Sequence, residues 1–361
     1  MTIAYYIASP TWGGGEQYVY DLSRHMKEHY GVTPIFIFPK HSSPAMVERF
    51  QEIGECPAYK STGGLWRFLP FSGRRLAQVL DQYNVDVLHI NSRQSYFISA
   101  WAKHFAHHPV RIIAVQHLVR EAKNSLYWRW TYKKIDTLIF PSDCVKRAYL
   151  HTFGGHIPFA HTVTIHNSVP ISSHEGIAQQ VVEPKTIFYH GRICQEKGVF
   201  PLISYLEKLQ DLDFRVVFAG GIDTQDKHHW EHILRTSPIR DRITYLGFRT
   251  DIAALIPHYQ IGVIPTIVPE AGGPLALLEN MALGLPTISS DNGSQPEFIQ
   301  HEKNGLLCPP NDETRWIQAI RQLLTQPQQA TQIAQQAQDD FFNHFGYEQF
   351  IKQMHTVYQL S

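Results

Sequence analysis

Residues 190–198 of this 361-residue chain are His-Gly-Arg-Ile-Cys-Gln-Glu-Lys-Gly, and they decide how the fold is interpreted. The apolar run Thr186–Tyr189 precedes them and the amphipathic stretch Val199–Leu209 follows, an order that predicts a strand, a tight turn and a helix. Arg192 and Lys197 then lie on the turn and at the helix start, where unpaired N–H groups and the helix dipole favour an anion. The pattern predicts a diphosphate site. The alternative is a surface turn with two solvated cations.

A second strand, glycine loop and helix are predicted farther along the chain. Glu270 follows the apolar run Tyr259–Ile264, and Gly272 and Gly273 are expected to expose their backbone amides to a ligand. Pro274 suits the first turn of the following helix, where its missing N–H is not needed. This loop therefore predicts a second set of ligand contacts beside the first.

An acid lies on each side of that glycine loop. Glu279 falls on the predicted helix, which Gly284 and Pro286 end. Either carboxylate could accept hydrogen bonds from the hydroxyls of a ribose or a hexose. The alternatives are a loop-capping carboxylate for Glu270 and a solvated helix acid for Glu279.

The pairing of Gly-Arg-x4-Lys-Gly with a downstream Glu–glycine loop–Glu resembles the retaining glycosyltransferases of family 4 (glycosyl transferases group 1). Those enzymes have the GT-B fold, in which two doubly wound, Rossmann-like α/β domains face each other across a cleft. Weaker matches extend the resemblance over nearly the whole chain. They are the glycine loop Trp12–Glu16, the buried strand Asp86–His89, the strand end Val115–His117 with its pocket histidine, and the run Ile165–Asn167 before the linker.

Two departures from the family pattern stand out. The family usually spaces its two glutamates eight positions apart, whereas Glu270 and Glu279 are nine apart, so the loop holds one extra residue. We therefore expect the Glu270 carboxylate to be displaced, while Glu279 keeps its place on the helix. The run Ser168–Pro170 stands where the family usually continues Gly-Val-Asp.

The resemblance implies a role for each candidate residue. Arg192 and Lys197 would stabilise the charge that develops on the departing diphosphate, as an oxyanion hole does. Glu279 would hold the ribose hydroxyls, Glu270 would contact the donor sugar, and His117 would lie beside that sugar. Donor binding is thus expected at Gly14, Gly15, Glu16, Gly191, Arg192, Lys197, Gly272, Gly273, Pro274, Leu275 and Glu279, and catalysis at His117, Arg192, Lys197 and Glu270.

The candidate site residues of the first domain could also have purely structural roles. His117 could be a satisfied residue at a strand end, and Gly13–Gly15 could form a plain strand-to-helix turn. If the loop is functional, its glycines would allow positive φ and a close approach of the backbone to a ligand.

The resemblance also implies a reaction course. The sugar would be transferred from a UDP- or GDP-linked donor with retention at the anomeric carbon, by a front-face displacement in which the leaving phosphate helps to deprotonate the acceptor. The chain has no Asp-x-Asp at a predicted strand end and no histidine spacing that suggests a metal site. We therefore expect no metal and no cofactor besides the donor substrate.

Apolar runs alternate with amphipathic segments along both halves, which predicts parallel sheets covered on both faces. The predicted domains are residues 1–167, a linker over 168–184, residues 185–345, and a C-terminal helix over 346–361 that crosses back to the first domain as in the family. The predicted helices of the first half are 16–28, 74–83, 95–106 and 142–151. The predicted strands are Ile3–Ala8, Pro34–Phe38, Val85–Ile90, Val110–Val115, Thr137–Phe140, Thr162–Ile165, Phe214–Ala219, Ile243–Leu246, Tyr259–Ile264 and Thr287–Ser289, with one more starting near Ile187.

The composition of the chain argues against several classes of protein. Basic and acidic residues balance at 32 each, which argues against nucleic acid as the main partner. Four widely spaced cysteines without a Cys-x-x-Cys fit reduced thiols. No run approaches 18 apolar residues, and Ile3–Ala8 is too short for a signal peptide. We expect a cytoplasmic protein, in contact with the inner face of the membrane if its acceptor is lipid-linked.

Two stretches of the first half combine aromatic and basic side chains, Ser61–Arg75 and Ser125–Lys134. Such stretches suit a membrane surface or a lipid-linked glycan acceptor. Ordinary core packing is the alternative.

Two other functions stay open. A GT-B partner subunit could bind a nucleotide sugar without transferring it. An NAD-dependent oxidoreductase would share the parallel sheets, but Gly13–Gly15 lacks the Gly-x-Gly-x-x-Gly spacing and no acid ends the second strand.

Overall fold

The computed structural model describes residues 1–7, 9–61, 69–153, 159–171 and 185–360. Within that range the chain forms two compact units, residues 1–166 together with 348–361, and residues 167–347. Three expectations fall partly outside the described residues. They are the end of the first strand at Ala8, most of the linker over 168–184, and the side chains Trp66, Arg67 and Phe68 of the first aromatic and basic stretch.

The first unit contains a parallel sheet of seven strands in the order β3-β2-β1-β4-β5-β6-β7. Its strands are β1 Thr2–Tyr6, β2 Thr33–Pro39, β3 Lys60–Ser61, β4 Val87–Ile90, β5 Arg111–Val115, β6 Thr137–Phe140 and β7 His161–Thr164. Its helices up to residue 150 are α1 Gly14–Tyr30, α2 Pro44–Gln51, α3 Pro70–Gln82, α4 Tyr96–Phe105, α5 Leu126–Tyr132 and α6 Asp143–Leu150.

The central strands of this sheet are buried on both faces, so their sequences are continuously apolar rather than alternating. Ile3, Ala4 and Tyr5 of β1 are all buried, and so is every residue of β4. Strand β1 pairs with β2 on one side and β4 on the other. The chain order therefore reverses at β1, and loops at the carboxyl ends of β1 and β4 flank that switch point.

The second unit contains a parallel sheet of six strands in the order β10-β9-β8-β11-β12-β13. Its strands are β8 Lys185–His190, β9 Phe214–Ala219, β10 Ile243–Tyr245, β11 Ile261–Ile264, β12 Thr287–Ser290 and β13 Leu306–Cys308. Its helices are α7 Val199–Leu206, α8 Lys227–Thr236, α9 Ile252–Leu255, α10 Leu275–Ala282, α11 Glu313–Thr325 and α12 Pro327–Asp340. The switch point lies between β8 and β11, which pair directly.

The C-terminal helix, α13 Tyr347–Gln359, belongs almost wholly to the first unit. Phe350, Met354 and Val357 are buried, as their shared helix face predicted. The Tyr358 hydroxyl lies 2.9 Å from Nδ1 of His89 at the end of β4. These contacts tie the last turns of the chain to the sheet formed by its first half.

Most predicted elements are present with shifted ends, and several short or weakly patterned ones were missed. Strands β3 and β13 have two and three residues, too few to show a period. Helix α12 buries a face that is mostly alanine, so its apolar pattern is weak. Helix α7 ends at Leu206 rather than Leu209, because a 3-10 turn takes residues 207–209. No helix in the described part of the chain is long and apolar enough to cross a membrane.

Candidate active site

The loops after β8 and β9 run side by side because two glycines allow it. Gly191 and Gly220 have φ of +146° and +154°, and a Cβ on Gly220 would lie 1.8 Å from the carbonyl oxygen of Gly191. Beyond the strands, the amide of Asp223 donates to the carbonyl of Ile193 at 3.1 Å. This backbone pairing places the Asp223 carboxylate beside Arg192.

Arg192 is paired with acids rather than left open. Its Nη1 lies 2.7 Å from Oδ2 of Asp223, and its Nη2 lies 3.7 Å from Oε2 of Glu196. The sequence analysis did not single out Asp223, although the Gly-Gly pair that follows β9 marks a loop at a strand end. A diphosphate that binds this guanidinium therefore has to compete with Asp223.

Lys197 does not lie on the first turn of α7, which corrects the expectation from the sequence. A 3-10 turn covers Gln195–Lys197, and Gly198 follows it in the left-handed conformation with φ of +69°. Gly198 separates that turn from α7, so the ammonium group sits on its own turn ahead of the helix.

The turn that carries Lys197 is joined to the loop after β11. A Cβ on Gly198 would lie 1.9 Å from the carbonyl oxygen of Pro265, so only glycine permits this approach. The amide of Ile267 donates to the carbonyl of Glu196 at 2.9 Å. These backbone contacts bring the β11 loop, and Glu270 with it, to the lysine.

The Glu270 carboxylate is partly buried, and one of its oxygens is bound by two protein donors. Its Oε1 pairs with Nζ of Lys197 and accepts a hydrogen bond from Oγ1 of Thr266 at 2.7 Å. The backbone carbonyl oxygen of Glu270 accepts a hydrogen bond from the amide of Ser294 at 3.0 Å. The carboxylate is thus held by the lysine that the sequence analysis assigned to the diphosphate. Neither Thr266 nor Ser294 was predicted.

The expectation of an exposed amide at Gly273 was wrong. Gly272 and Gly273 are both buried, and the amide of Gly273 donates to Oγ of Ser294 at 2.7 Å. Pro274 caps α10 rather than starting it, with ψ of 130°, and Leu275 is the first helical residue. The N–H groups at the start of α10, from Leu275 onward, are the ones that the helix terminus offers to a ligand.

Glu279 faces a buried histidine at the end of β8. Its Oε2 lies 3.4 Å from Nδ1 of His190, whose Nε2 lies 2.9 Å from Oδ1 of Asn280. Burial raises the pKa of Glu279 to about 7. Burial also lowers the pKa of His190 to about 4, although the bond to Asn280 opposes that shift. Near pH 7 the imidazole is neutral and the carboxyl group titrates.

The glycine loop of the first unit is open but not strained. None of Gly13, Gly14 and Gly15 has positive φ, which corrects the expectation from the sequence. A Cβ on Gly14 or Gly15 would meet no atom within 4 Å, so a ligand could approach the backbone there. Burial raises the pKa of Glu16 in the first turn of α1, while the amides of Ser9 and Gly13 favour its ionised form.

His117 lies just after β5 in a partly buried chain of polar side chains. Its Nε2 lies 3.3 Å from Oδ1 of Asn91, which also lies 2.9 Å from Nε2 of His89. The ring of Tyr18, two residues after Glu16, packs edge-on against His117 with centroids 5.1 Å apart. Burial lowers the pKa of His117 to about 4, so the imidazole is neutral near pH 7.

One possible set of metal ligands occurs among the described residues. Single ligand atoms of His25, Glu28 and His29 on α1 lie within 4.8 Å of one another. The sequence analysis missed this set, although histidines four apart share a helix face. None of the predicted site residues belongs to it.

Two family models together match residues 12–340. The model described as Glycosyltransferase Family 4 matches residues 12–173, and the one described as Glycosyl transferases group 1 matches residues 174–340. The chain belongs to glycosyltransferase family 4. The family's GT-B fold agrees with the two parallel sheets.

Named proteins similar to this family-4 chain include an archaeal and a bacterial glycosyltransferase. The uncharacterized glycosyltransferase MJ1607 of Methanocaldococcus jannaschii is 25% identical over 309 residues, 78% of this chain and 76% of that protein. The amylovoran biosynthesis glycosyltransferase AmsK of Erwinia amylovora is 26% identical over 140 residues, 36% and 33% of the two chains. The crystal structure of Anabaena HepE in complex with UDP matches with a TM-score of 0.82 and 18% identity, covering 100% of both chains.

We predict that Glu279→Gln stabilises this glycosyltransferase increasingly as the pH rises. The Glu279 carboxyl has a pKa of about 7 in the fold against an ordinary 4.5, so the unfolded chain loses its proton first. Wild-type stability therefore falls relative to the variant between about pH 4.5 and 7. The gap should reach about 1–3 kcal/mol at pH 8.

The measurement is the thermal midpoint of both proteins from pH 5 to 8. The exposed Glu231 on α8 supplies the control, since the gap between Glu231→Gln and the wild type should stay level. A level gap for Glu279→Gln as well would contradict the buried, titrating carboxyl group.

Proposed function

We propose that this family-4 protein is a retaining glycosyltransferase. It transfers a sugar from a UDP- or GDP-linked donor to a glycan or lipid-linked acceptor in the synthesis of a cell-surface polysaccharide or lipopolysaccharide. The observation that carries the proposal is the ion pair of Lys197 with Glu270 at the carboxyl ends of β8 and β11, the switch point of the second sheet. Arg192 follows β8 at the same edge, and Glu279 contacts His190 at the end of β8. The UDP in HepE and the role of AmsK in amylovoran biosynthesis support it.

In this proposal, the donor diphosphate replaces the acidic side chains as the binding partner of Arg192 and Lys197. Arg192 is paired with Asp223, and Lys197 is paired with Glu270. A diphosphate that takes both cations releases the Glu270 carboxylate, which then accepts hydrogen bonds from hydroxyls of the donor sugar. Glu279 accepts from the ribose hydroxyls. This exchange makes the binding of sugar and diphosphate mutually dependent.

The two cations lower the barrier by stabilising the departing diphosphate. The bond between the anomeric carbon and the phosphate oxygen breaks on one face of the sugar. The acceptor hydroxyl forms its new bond on that same face and passes its proton to the phosphate oxygen, so the anomeric configuration is retained. The His117 ring is neutral, and its Nε2–H is donated to Asn91, so its Nδ1 accepts a hydrogen bond from a sugar hydroxyl without adding charge.

No divalent metal takes part in this proposal. Metal ions in other transferases offset the charge of the diphosphate, and here Arg192, Lys197 and the first N–H groups of α10 do so. Two competing functions give different ligand profiles. A partner subunit binds the nucleotide sugar without turning it over, and an oxidoreductase binds NAD.

We predict that one nucleoside diphosphate raises the thermal midpoint in the presence of EDTA. UDP, GDP, ADP, CMP and NAD are compared on the purified protein. The double variant Arg192→Ala with Lys197→Ala should lose this stabilisation, and turnover should fall by about 10²–10³ for each lost donor. Lys208→Ala is the matched control, because Lys208 is an exposed lysine of the same unit that pairs with Glu313.

Different results would favour different functions. Stabilisation by NAD alone would replace the transferase with an oxidoreductase. An unchanged UDP or GDP shift in the double variant would refute the diphosphate site. Tight donor binding without hydrolysis or transfer would identify a non-catalytic subunit, and sensitivity to EDTA would refute metal independence.

We predict that slow hydrolysis of the donor releases a sugar of the donor's own anomeric configuration. Water replaces the acceptor in a front-face displacement, so an α-linked donor yields the α-sugar first. Early ¹H NMR spectra, taken before mutarotation, distinguish the two anomers. The β-sugar as first product would show inversion and rule out the proposed mechanism.

A peripheral membrane contact on the cytoplasmic side forms part of the proposal. Phe71 at the start of α3 is 59% exposed and Leu126 at the start of α5 is 87% exposed. The cations Arg74, Arg75 and Arg129 on the same helices are exposed as well. Apolar side chains beside cations suit the surface of a membrane with anionic lipids.

We predict that Phe71→Ser with Leu126→Ser weakens binding to vesicles of phosphatidylglycerol and phosphatidylethanolamine roughly tenfold. The loss reflects about 1.5 kcal/mol of apolar burial. Phe248→Ser is the control, because Phe248 is 76% exposed in the second unit. Sedimentation with vesicles measures the effect, and equal losses in both proteins would contradict a surface on α3 and α5.

A further inference from the structure

A pocket of about 220 Å³ lies wholly within the first unit, at the carboxyl ends of β4 and β5. Its wall combines cations, an aromatic ring and the polar pair that ends the two strands. The residues that matter are Asn91, Arg93, His117, Arg120, Lys123 and Trp128. The switch-point edge of a parallel sheet is where such folds bind their ligands.

The pocket carries three positive charges and no acid among its lining residues. Among the described residues, Arg93, Arg120 and Lys123 form no ion pair with a carboxylate. Arg93 donates a hydrogen bond to the carbonyl of Glu121 at 3.0 Å. Burial lowers the pKa of Arg120, and the nearby charge of Arg93 lowers it further. Like charges held together without a counter-ion are unfavourable, and a bound anion would relieve them.

Two of these cations lie near the ring of Trp128, which forms part of the pocket wall. The Arg93 guanidinium lies 5.7 Å and the Lys123 ammonium 5.8 Å from its ring centroid. Phe97 packs against the same indole with centroids 4.3 Å apart, which holds the ring in place. The cations are thus positioned by a rigid aromatic pair on α4 and α5 rather than left on flexible stems.

The floor of the pocket offers a donor that lacks a partner. Asn91 Oδ1 already receives both His89 and His117, and the Tyr358 hydroxyl donates to the other nitrogen of His89. Asn91 Nδ2 is buried and has no hydrogen-bond acceptor among the described residues. A buried amide without an acceptor is unfavourable, so a ligand oxygen would complete this floor.

We propose that this pocket binds a phosphate or carboxylate group carried by the acceptor substrate. The group accepts hydrogen bonds from Arg93, Arg120 and Lys123 and from the side-chain amide of Asn91. A sugar ring or apolar chain attached to it lies against Trp128. The identity of the ligand as an acceptor rests on the proposed transferase function, whereas the anion site itself does not.

The test is a titration with inorganic phosphate and with malonate at constant ionic strength. It uses the full-length chain with Arg192→Ala and Lys197→Ala, so that the proposed nucleotide site no longer binds phosphate. Thermal stabilisation reports binding, and methyl glucoside is the uncharged comparison. We expect the anions to bind and the glucoside not to stabilise. Phosphate tighter than malonate identifies a phosphate site, and the reverse a carboxylate site.

Adding Arg120→Gln and Lys123→Gln should weaken anion binding by about tenfold or more, because charge-assisted hydrogen bonds are lost. Both residues lie on the surface, so the fold should survive. Arg147→Gln on α6 is the matched control and should change nothing, since Arg147 is exposed and outside the pocket. Equal binding in the pocket variant and its parent, or an equal loss in the control, would overturn the proposal.

Failure of this proposal differs from failure of the proposed function. Anion binding that depends on Arg120 and Lys123 in a protein that binds no nucleoside diphosphate would keep the pocket and remove the transferase. Binding of a nucleoside diphosphate without any effect of phosphate or malonate would refute the anion pocket and keep the proposed transferase.

Discussion

The ion pair between Lys197 and Glu270 is the interaction on which the proposed donor site depends. It exists because the turn after β8 and the loop after β11 touch through their backbones, at Gly198 with Pro265 and at Glu196 with Ile267. Adjacent parallel strands bring the two loops to one edge, and a side chain at position 198 would push them apart. Both partners are largely shielded from solvent, so the pair is stronger than one on the surface.

The structure gives each of the two cations an acidic partner. Arg192 has Asp223 and Glu196, and Lys197 has Glu270. These acids offset the positive charge of both cations. In the proposed function, the selectivity of this site comes from exchange, since a ligand has to supply a diphosphate for the cations and hydroxyls for the carboxylates released. The extra residue between the two glutamates does not leave Glu270 in solvent, because Thr266 and Lys197 hold it.

Burial sets the protonation state of three histidines and one glutamate in the two units. His89, His117 and His190 have pKa values lowered to about 3, 4 and 4, so each ring stays neutral well below pH 7. Their unfolded forms take up protons at a higher pH, and the fold therefore loses stability as the pH falls below about 6.5. Glu279 shifts the other way, to about 7, and makes the fold less stable as the pH rises toward that value.

The sequence by itself determined the parallel α/β class, most strands and the two glycine loops, and it singled out Arg192, Lys197, Glu270 and Glu279 as candidate site residues. Hydrophobic periodicity, turn-forming glycine and proline residues, and charge are local properties of a sequence, so they can be recognised without knowledge of the fold. Only the tertiary structure decided what these groups touch. The pairing of Lys197 with Glu270 spans 73 positions, and the bond between Tyr358 and His89 spans 269. The buried amide of Gly273, the neutral His117 and the placement of Arg93 and Lys123 beside Trp128 likewise depend on packing between distant segments or on burial, which no local pattern encodes.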